Sequence, residues 1–303
     1  MMIIKNLIKK ITHHFINYLK IDQILINQGK ILSKMNLNKK FNHLCDYEFK
    51  VFSQWGEDGI IDFLVSEVLI VNKTFVEFGV EDFSESNCRF LLMNHDWNGF
   101  AIDGSTKNIK TLKDSYYFWK HDLQALAAFV DKDNINELLE KSKFQRDLGI
   151  LSIDIDGNDF HVLSNINSFD PRIIICEFNP IFGKVKKVTI PYDPKFYRTK
   201  KHYSNLYYGA SINAFVSLLS KRGYTLIGTG MLGSNAYFVK NSLLTEHLKK
   251  LADSPFNFHF NYRESRDVRG NLNFLRKKER LKEIEGMKVL NLDSGNLENI
   301  EIS

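Results

Sequence analysis

The stretch Leu148–Ile155 reads LGILSIDI, a short apolar run with Asp154 near its end and Asp156 directly after it. A second run, RIIICEF over Arg172–Phe178, follows after a helical pattern near Asp159–Ile166. Near-continuous apolar runs of this length are typical of strands that are buried on both faces of a parallel sheet. We therefore predict that the two runs form the central strands of such a sheet.

The chain upstream of these runs alternates strand and helix patterns. Thr74–Gly79 (TFVEFG) and Asn98–Asp103 (NGFAID) are predicted strands, and a helix is predicted between them near Ser86–His95. Tyr116–Lys120 is predicted as a third, weaker strand, and Ile135–Lys143 has a helical composition. This alternation indicates an α/β fold whose mainly parallel sheet is covered by helices on both faces.

Downstream of the central strands the pattern changes. Residues 180–208 are irregular and rich in tyrosine, which we interpret as a lid-like insertion, and a helix follows near Ser211–Arg222. Tyr224–Thr229 and Asn235–Lys240 are predicted strands joined by a short glycine-rich turn. Because a parallel crossover needs a dozen or more residues, this pair must be antiparallel. The sequence therefore predicts seven strands in a mainly parallel sheet with an antiparallel terminal hairpin.

Composition and charge are those of an ordinary globular protein. The 303 residues are 44% hydrophobic and 25% charged, and 41 basic against 36 acidic residues give a net charge of +5. Residues 1–44 hold eight lysines and one acid, so 33 basic and 35 acidic residues remain and the rest has a charge of −2. Nucleic-acid-binding proteins usually carry basic surface on the folded domain, so we predict no nucleic-acid partner.

Residues 1–50 are predicted to be a basic helical extension. Its apolar positions recur close to a helical spacing, with lysines between them: Ile4, Leu7, Ile8, Ile11, Phe15 and Leu19. We expect this helix to cap the domain or to pair in a homo-oligomer, and contact with an anionic membrane surface is the alternative. Residues 51–240 are assigned to the main domain and residues 241–303 to a helical, charged C-terminal extension.

The cysteines and the apolar runs bear on the location of the protein. Cys45, Cys88 and Cys176 show no paired spacing, and no apolar run reaches the length of a membrane span. We therefore predict a cytoplasmic protein without disulfides, with the inner face of the membrane as an alternative location.

The turn after the first predicted strand is acidic rather than glycine-rich. Residues 79–85 read GVEDFSE, so Glu81, Asp82 and Glu85 lie where the pyrophosphate binds in a G-x-G-x-x-G turn. Like charges placed side by side repel strongly, which argues against NAD, FAD and nucleoside triphosphates. The turn suits a cofactor with a positive centre and no phosphate, such as S-adenosylmethionine.

Two further aspartates are candidates for contacts with a nucleoside. Asp103 ends the second predicted strand, where a carboxylate can accept hydrogen bonds from both ribose hydroxyls. The alternative for Asp103 is a helix N-cap. Asp122 follows the predicted third strand and is expected to meet the adenine amino group.

Five segments together resemble a known family over about Phe52–Lys240. They are Ser53–Gly59 (SQWGEDG), Val76–Gly79 (VEFG), Asp103–Ser105 (DGS), Ser152–Asp159 (SIDIDGND) and Cys176–Asn179 (CEFN). In these segments the chain resembles class I S-adenosylmethionine-dependent methyltransferases, and most of all the FkbM-like sugar O-methyltransferases. It departs from them in the first turn, where Glu81 replaces the usual second glycine.

The resemblance implies a Rossmann-like methyltransferase fold and O-methylation of a sugar hydroxyl. The sugar would be nucleotide-linked or a precursor of a capsular or O-antigen polysaccharide. It also implies that Glu77 and Gly79 contact the methionine moiety, that Asp103 binds the ribose, and that Gln54 closes over the cofactor. Two rival functions stay open: a nicotinamide-dependent sugar oxidoreductase or epimerase, and a non-enzymatic protein that binds a membrane or partner through the N-terminal helix.

Activation of the acceptor is predicted at the ends of the two central strands. Asp154, Glu177 and Asn179 offer oxygen ligands for Mg²⁺ or Mn²⁺, an arrangement similar to that of metal-dependent O-methyltransferases. Asp156 and His161 are the candidate catalytic residues, with His161 as the base if no metal is used. The alternative is that residues 156–159 form only a turn and a helix N-cap.

The insertion is predicted to contact the acceptor. Its tyrosines can stack on sugar rings, and basic side chains between them could bind a phosphate: Lys195, Arg198, Lys200 and Lys201. An ordinary loop that packs its own side chains is the alternative.

Overall fold

The computed structural model describes residues 20–254 and 264–301, and ten β-strands lie within these ranges. In chain order they are β1 (Thr74–Phe78), β2 (Asn98–Asp103), β3 (Leu123–Ala127), β4 (Ile150–Ile153), β5 (Ile173–Glu177), β6 (Val188–Thr189), β7 (Tyr224–Thr229), β8 (Asn235–Lys240), β9 (Lys288–Asn291) and β10 (Leu297–Asn299). Seven form the central sheet in the order β3-β2-β1-β4-β5-β8-β7. Strands β1 to β5 are parallel, whereas β8 runs antiparallel to β5 and β7. The predicted Rossmann-like α/β fold with an antiparallel terminal hairpin is confirmed.

Eleven α-helices lie in the same described ranges. They are α1 (Ile21–Leu37), α2 (Glu57–Glu67), α3 (Arg89–His95), α4 (Thr106–Lys113), α5 (Tyr116–Lys120), α6 (Ile135–Glu140), α7 (Asp159–Asn165), α8 (Arg198–Lys201), α9 (Ile212–Ser220), α10 (Glu246–Ala252) and α11 (Lys277–Glu283). Helices α2, α3, α4 and α10 cover one face of the sheet, and α6, α7 and α9 cover the other. Successive strand residues point to opposite faces of the sheet. Phe75 therefore packs on the face covered by α2, α3, α4 and α10, and Val76 on the face covered by α6, α7 and α9. The ends of the strands are left open to form a site.

One predicted strand is a helix. Tyr116–Lys120 forms α5, and the third strand of the sheet is β3, which pairs with β2. The hydroxyl of Ser115 accepts a hydrogen bond from the backbone N–H of Phe118 and so caps α5. Tyr117 is the buried residue of this helix. The aromatic composition favoured a strand, but the capping serine makes the run a short surface helix, and the strand prediction was wrong.

The C-terminal extension packs against the insertion of residues 180–208. Besides α10 and α11, its described part contains a hairpin of β9 and β10, and β9 pairs antiparallel with β6 inside the insertion. Phe196 and Tyr207 of the insertion share a buried cluster with Val289 and Ile300. The side chains of the insertion therefore pack in a core that the insertion shares with the C-terminal extension.

The N-terminal extension is described from residue 20 onwards. The apolar positions from Ile4 to Leu19, which predict the amphipathic helix, lie outside the described residues. Helix α1 buries Ile26 against the body of the protein, whereas Ile24 and Ile31 are each 61% exposed. None of the described helices is both long and apolar enough to cross a membrane.

Candidate functional site

The end of β1 approaches the end of β4 so closely that only glycine fits. Gly79 has a φ of +70°, and a Cβ atom on it would lie 1.5 Å from the backbone oxygen of Asp154. The N–H of Gly79 donates to the backbone oxygen of Ile102 on β2. Gly79 therefore sets the spacing of three neighbouring strand ends.

A cavity of about 500 Å³ opens at these strand ends. It is bounded by the ends of β1, β2, β4 and β5, by the loop before α2 and by the insertion. Seven of the predicted site residues line it: Gln54, Glu77, Gly79, Asp103, Asp154, Asp156 and Glu177. Open α/β sheets bind ligands outside the carboxyl ends of their strands, so this cavity is the candidate functional site.

Asp103 is held at the end of β2 by two backbone donors. Its Oδ2 accepts a hydrogen bond from the N–H of Glu81 at 2.9 Å, and its Oδ1 accepts one from the N–H of Ser105 at 2.7 Å. The N-cap of α4 is Ser105, whose hydroxyl accepts from the N–H of Asn108, so Asp103 is not the helix cap. Each carboxylate oxygen has further acceptor capacity, so Asp103 can also bind two ligand hydroxyls.

Glu81 has the backbone conformation of a glycine. Its φ is +47°, in the left-handed region that non-glycine residues rarely adopt. Burial raises the pKa of its carboxyl, and the charges of Asp103, Asp82 and other nearby acids raise it further. The turn after β1 thus keeps the shape of a glycine turn and adds negative charge to the cavity.

Glu77 organises the turn that leads into α3. Its Oε2 accepts hydrogen bonds from the hydroxyl of Ser86 at 2.6 Å and from the N–H of Cys88 at 3.1 Å. Its Oε1 accepts one from the N–H of Asn87 at 2.8 Å. Burial raises the pKa of this carboxyl, and the donors lower it. Glu77 lines the cavity but has three protein donors already.

The loop that carries Gln54 is fixed by a residue that the sequence analysis did not assign. The Oδ2 of Asp58 accepts hydrogen bonds at 2.8 Å from the N–H groups of Val51, Phe52 and Ser53, and one from the Ser53 hydroxyl. A single buried carboxylate therefore holds the loop at the mouth of the cavity. The signal was present in the matching segment SQWGEDG, whose second acid is Asp58.

Three carboxylates converge at the ends of β4 and β5. Oxygen atoms of Asp154, Asp156 and Glu177 lie within 4.8 Å of one another. Burial raises the pKa of Glu177 well above its usual range, and Asp154 raises it further. Burial also raises the pKa of Asp154, with Asp156 as the next cause. A negative charge on Asp154 or Glu177 is therefore costly unless a cation lies beside it.

Arg198 on α8 brings a positive charge to this cluster. Its Nη1 lies 2.6 Å from Oδ1 of Asp156 and 3.9 Å from Oε1 of Glu177. Its Nε donates to the backbone oxygen of Asn205, and its guanidinium lies 3.7 Å from the centre of the Tyr208 ring. From its position in the insertion, we predicted Arg198 to be a phosphate ligand together with three lysines. The structure pairs it with carboxylates instead.

The insertion reaches the turn after β4 through an aromatic contact. A Cβ atom on Gly157 would lie 2.2 Å from the ring of Phe196, so the glycine allows the ring to pack directly on the turn. Among the tyrosines of residues 180–208, Tyr197 lines the cavity. The insertion thus covers the β4 side of the cavity.

Three predicted site residues do not line the cavity, and two of them, Asp122 and His161, lie away from it. The third strand begins at Leu123, whereas the sequence predicted a strand that ends at Lys120. Asp122 therefore precedes β3 and lies at the N-terminal ends of the strands, on the side of the sheet away from the cavity. The Nε2 of His161 is 2.8 Å from the backbone oxygen of Ile190, and burial lowers the pKa of its ring. Neither residue is among those that line the cavity.

The side chain of Asn179, a predicted metal ligand, forms hydrogen bonds with backbone groups. Its Oδ1 accepts a hydrogen bond from the N–H of Ile181 and caps a short 3₁₀ helix. Its Nδ2 donates to the backbone oxygens of Leu206 and Tyr208. The predicted amide ligand is therefore engaged elsewhere, and a metal at this cavity would rely on Asp154, Asp156 and Glu177.

Comparison with known proteins finds distant likenesses in structure. No protein-family model matches the sequence, and no curated protein matches it. The CurJ carbon methyltransferase is similar in structure, with a TM-score of 0.40 and 11% identity over 65% of this chain and 56% of that one. The N-terminal domain of EvdMO1, solved with SAH bound, has a TM-score of 0.38 and 9% identity over 72% of this chain and 94% of that one.

A third similar structure is an S-adenosylmethionine-dependent methyltransferase from Clostridium acetobutylicum ATCC 824. Its TM-score is 0.37 and its identity 9%, over 61% of this chain and 90% of that one. The chain spans little more than half the length of the CurJ enzyme. The α/β fold with its Rossmann-like sheet follows from the strand order of the central sheet.

Proposed function

We propose that the protein is an S-adenosylmethionine-dependent methyltransferase. The observation that carries the proposal is the placement of Asp103, whose carboxylate is fixed by two backbone donors at the cavity wall. The turn beside it supplies Glu81 and Glu85 rather than a glycine-rich phosphate cradle. A nucleoside with a positively charged centre fits this lining, whereas a pyrophosphate does not.

The remaining cofactor contacts follow from the same wall. Gly79 would keep the ends of β1, β2 and β4 at the spacing that forms the wall beside the methionine moiety, and Gln54 at the cavity mouth would cover it. Glu77 would act mainly by holding the turn of Ser86 and Asn87 in place, since its oxygens already accept three hydrogen bonds. S-adenosylmethionine would supply an electrophilic methyl group on a sulfonium.

Glu177 is the residue that we propose as the base. It lines the cavity, and its Oε2 is buried without a hydrogen-bond partner among the described residues, so this oxygen is free to accept a proton from a bound hydroxyl. Glu177 would take the proton of the acceptor hydroxyl while the oxygen bonds to the methyl carbon and the carbon–sulfur bond breaks. Asp156 would act through Arg198, with which it is paired.

O-methylation of a sugar hydroxyl is the finer part of the proposal, and it rests on the family resemblance together with the clustered carboxylates. A divalent cation fits this site poorly, because Arg198 already occupies Asp156 and because Asn179 is engaged by the backbone. We therefore assign the counter-charge of the cluster to Arg198 and derive no step through a metal.

Calorimetric titration with S-adenosylhomocysteine and with NAD tests the proposal. We expect S-adenosylhomocysteine to bind the wild type and Asp103→Ala to weaken it by about tenfold or more, the loss of hydrogen bonds to a charged group. Asp122→Ala is the matched control, because Asp122 is an exposed acid at the N-terminal ends of the strands, away from the cavity. Binding of NAD but not of S-adenosylhomocysteine would favour the oxidoreductase alternative.

A second role is favoured by the exposed face of α1. Ile24, Ile31 and Met35 lie on one side of the helix, more than half exposed, with Lys30 and Lys34 also exposed. We propose that this face rests on an anionic membrane surface, where apolar side chains insert and lysines bind headgroups. Sedimentation with anionic and with neutral vesicles tests it, with Ile24→Ser/Ile31→Ser as the variant expected to stay in solution. Equal binding to both kinds of vesicle, or none, would overturn this role.

A further inference from the structure

The lining of the cavity is strongly one-sided in charge. Nine of its residues carry a carboxylate, and those nearest the ends of β4 and β5 are Asp154, Asp156 and Glu177. Within the described part of the chain, Arg198 is the one basic residue that lines it. A concave site lined mainly by one sign of charge concentrates that potential and repels ligands of the same sign.

The lysines of the insertion do not offset this charge. The Nζ of Lys201 lies 2.6 Å from Oδ2 of Asp193, away from the cavity. The ammonium of Lys200 lies 4.7 Å from the ring centre of Tyr197. Lys195 is exposed, and none of these three lysines lines the cavity. The phosphate contact that the sequence suggested for them is therefore without support in the structure.

Arg198 already forms ion pairs with carboxylates through Nη1, but two polar atoms of the cavity residues have no hydrogen-bond partner within the ranges that the structure describes. The Nη2 of Arg198 and the Oε2 of Glu177 are buried without a hydrogen-bond partner among the described residues. Both side chains are 10% exposed, and both line the cavity. One orphaned atom is a donor and the other an acceptor. A ligand hydroxyl can satisfy either, because it both donates and accepts, whereas a phosphate oxygen can satisfy only the donor.

We propose that the cavity takes an uncharged, polyhydroxylated acceptor and excludes a phosphorylated one, with Arg198 and Glu177 as the residues that bind its hydroxyls. The inference rests on the proposed function, since it names the acceptor class of the same cavity. It separates the two sugar classes that the sequence left open, favouring an unphosphorylated glycan or polyol over a nucleotide-linked sugar.

Binding to the full chain tests the proposal without methyl transfer. A panel of common hexoses would be compared as methyl glycosides and as their 1-phosphates and uridine diphosphate derivatives, using saturation-transfer NMR. We expect at least one methyl glycoside to bind and its phosphorylated counterparts to bind about tenfold more weakly or not at all, as like charges dictate. Glu177→Gln, which replaces an acceptor by a mixed donor and acceptor, should weaken the glycoside.

Two variants sharpen the comparison. Asp156→Asn releases Arg198 from its ion pair, so we expect the phosphorylated sugars to gain about tenfold in affinity. Asp193→Asn is the matched control, because it breaks an ion pair of the insertion outside the cavity; it should leave both series unchanged.

Preferential binding of the phosphorylated series to the wild type, or binding of neither series at millimolar concentration, would overturn the proposal. S-adenosylhomocysteine titrated into the same samples keeps the two proposals apart. A protein that selects glycosides but does not bind S-adenosylhomocysteine would retain the acceptor class and lose the methyltransferase assignment.

Discussion

The Nη1 of Arg198 lies 2.6 Å from the Oδ1 of Asp156, joining the insertion to the turn after β4. The two residues are 42 positions apart in the sequence. The Oε1 of Glu177 lies 3.9 Å from the same nitrogen. The exposed carboxylate of Asp156 and the buried one of Glu177 thereby share a cation from a separate element of the fold. Arg198 therefore connects the insertion that covers the cavity with two of the carboxylates that line it.

Removal of this cation should destabilise the protein. We expect Arg198→Gln to lower the free energy of unfolding by about 1–3 kcal/mol, because the buried Glu177 then lacks its counter-charge. The Arg198–Asp156 pair itself should contribute only about 1 kcal/mol, since the Asp156 side chain is 62% exposed and solvent screens it. A double-mutant cycle with Asp156→Asn by urea denaturation measures this coupling. A coupling energy indistinguishable from zero would show that the ion pair does not hold the insertion.

The left-handed residue in the first turn gives a second prediction. A non-glycine residue with left-handed φ and ψ angles destabilises the folded state by roughly 1–2 kcal/mol. A glycine removes this strain but loses more backbone entropy on folding. We therefore expect the free energy of unfolding of Glu81→Gly to exceed that of Glu81→Ala by about 1 kcal/mol. Both variants remove the same carboxylate, which makes each the control for the other. Equal stability of the two in chemical denaturation would mean that the turn relaxes when the side chain is removed.

The sequence predicted the strand ends well because that information is local. A buried strand followed by an acid is visible as a run such as LSID, so Asp103, Asp154 and Glu177 could be assigned to one edge of the sheet. Gly79 was found for the same reason. The spacing of these residues along each strand then brought them to a common cavity.

One error has a local cause, and the other error and the omission have tertiary causes. Asp122 was expected at the wrong end of its strand, because the aromatic run before it resembled a strand and is a capped helix. Asn179 follows an acid at a strand end, as a ligand would, but nearby backbone groups engage its amide. Arg198 could not be singled out among the basic residues of the insertion, since only the folded insertion shows which of them reaches the cavity.

The raised pKa of Glu177 predicts a conflict between activity and stability. A carboxyl whose pKa is higher in the folded than in the unfolded state binds more protons when folded, so its contribution to stability falls as the pH rises above its unfolded value. Glu177→Gln should therefore stabilise the protein at pH 7.5, by about 1–2 kcal/mol, and have little effect at pH 4. The same variant should abolish methyl transfer. Unfolding free energies at the two pH values check it, and a loss of stability at pH 7.5 would contradict the buried-charge explanation.

Metal affinity gives the last prediction, because Arg198 and a divalent cation would compete for the same carboxylates. We expect the wild type to bind Mn²⁺ weakly and Arg198→Gln to bind it about tenfold more tightly, since the variant leaves Asp154, Asp156 and Glu177 as free oxygen ligands. Electron paramagnetic resonance of free Mn²⁺ measures both affinities, and Arg172→Gln, which breaks a surface pair with Asp147, is the control for loss of a positive charge. Micromolar binding to the wild type that disappears in Glu177→Gln would instead show that a metal is the natural counter-charge of the cluster. Arg198 would then be displaced from Asp156 when the ion binds.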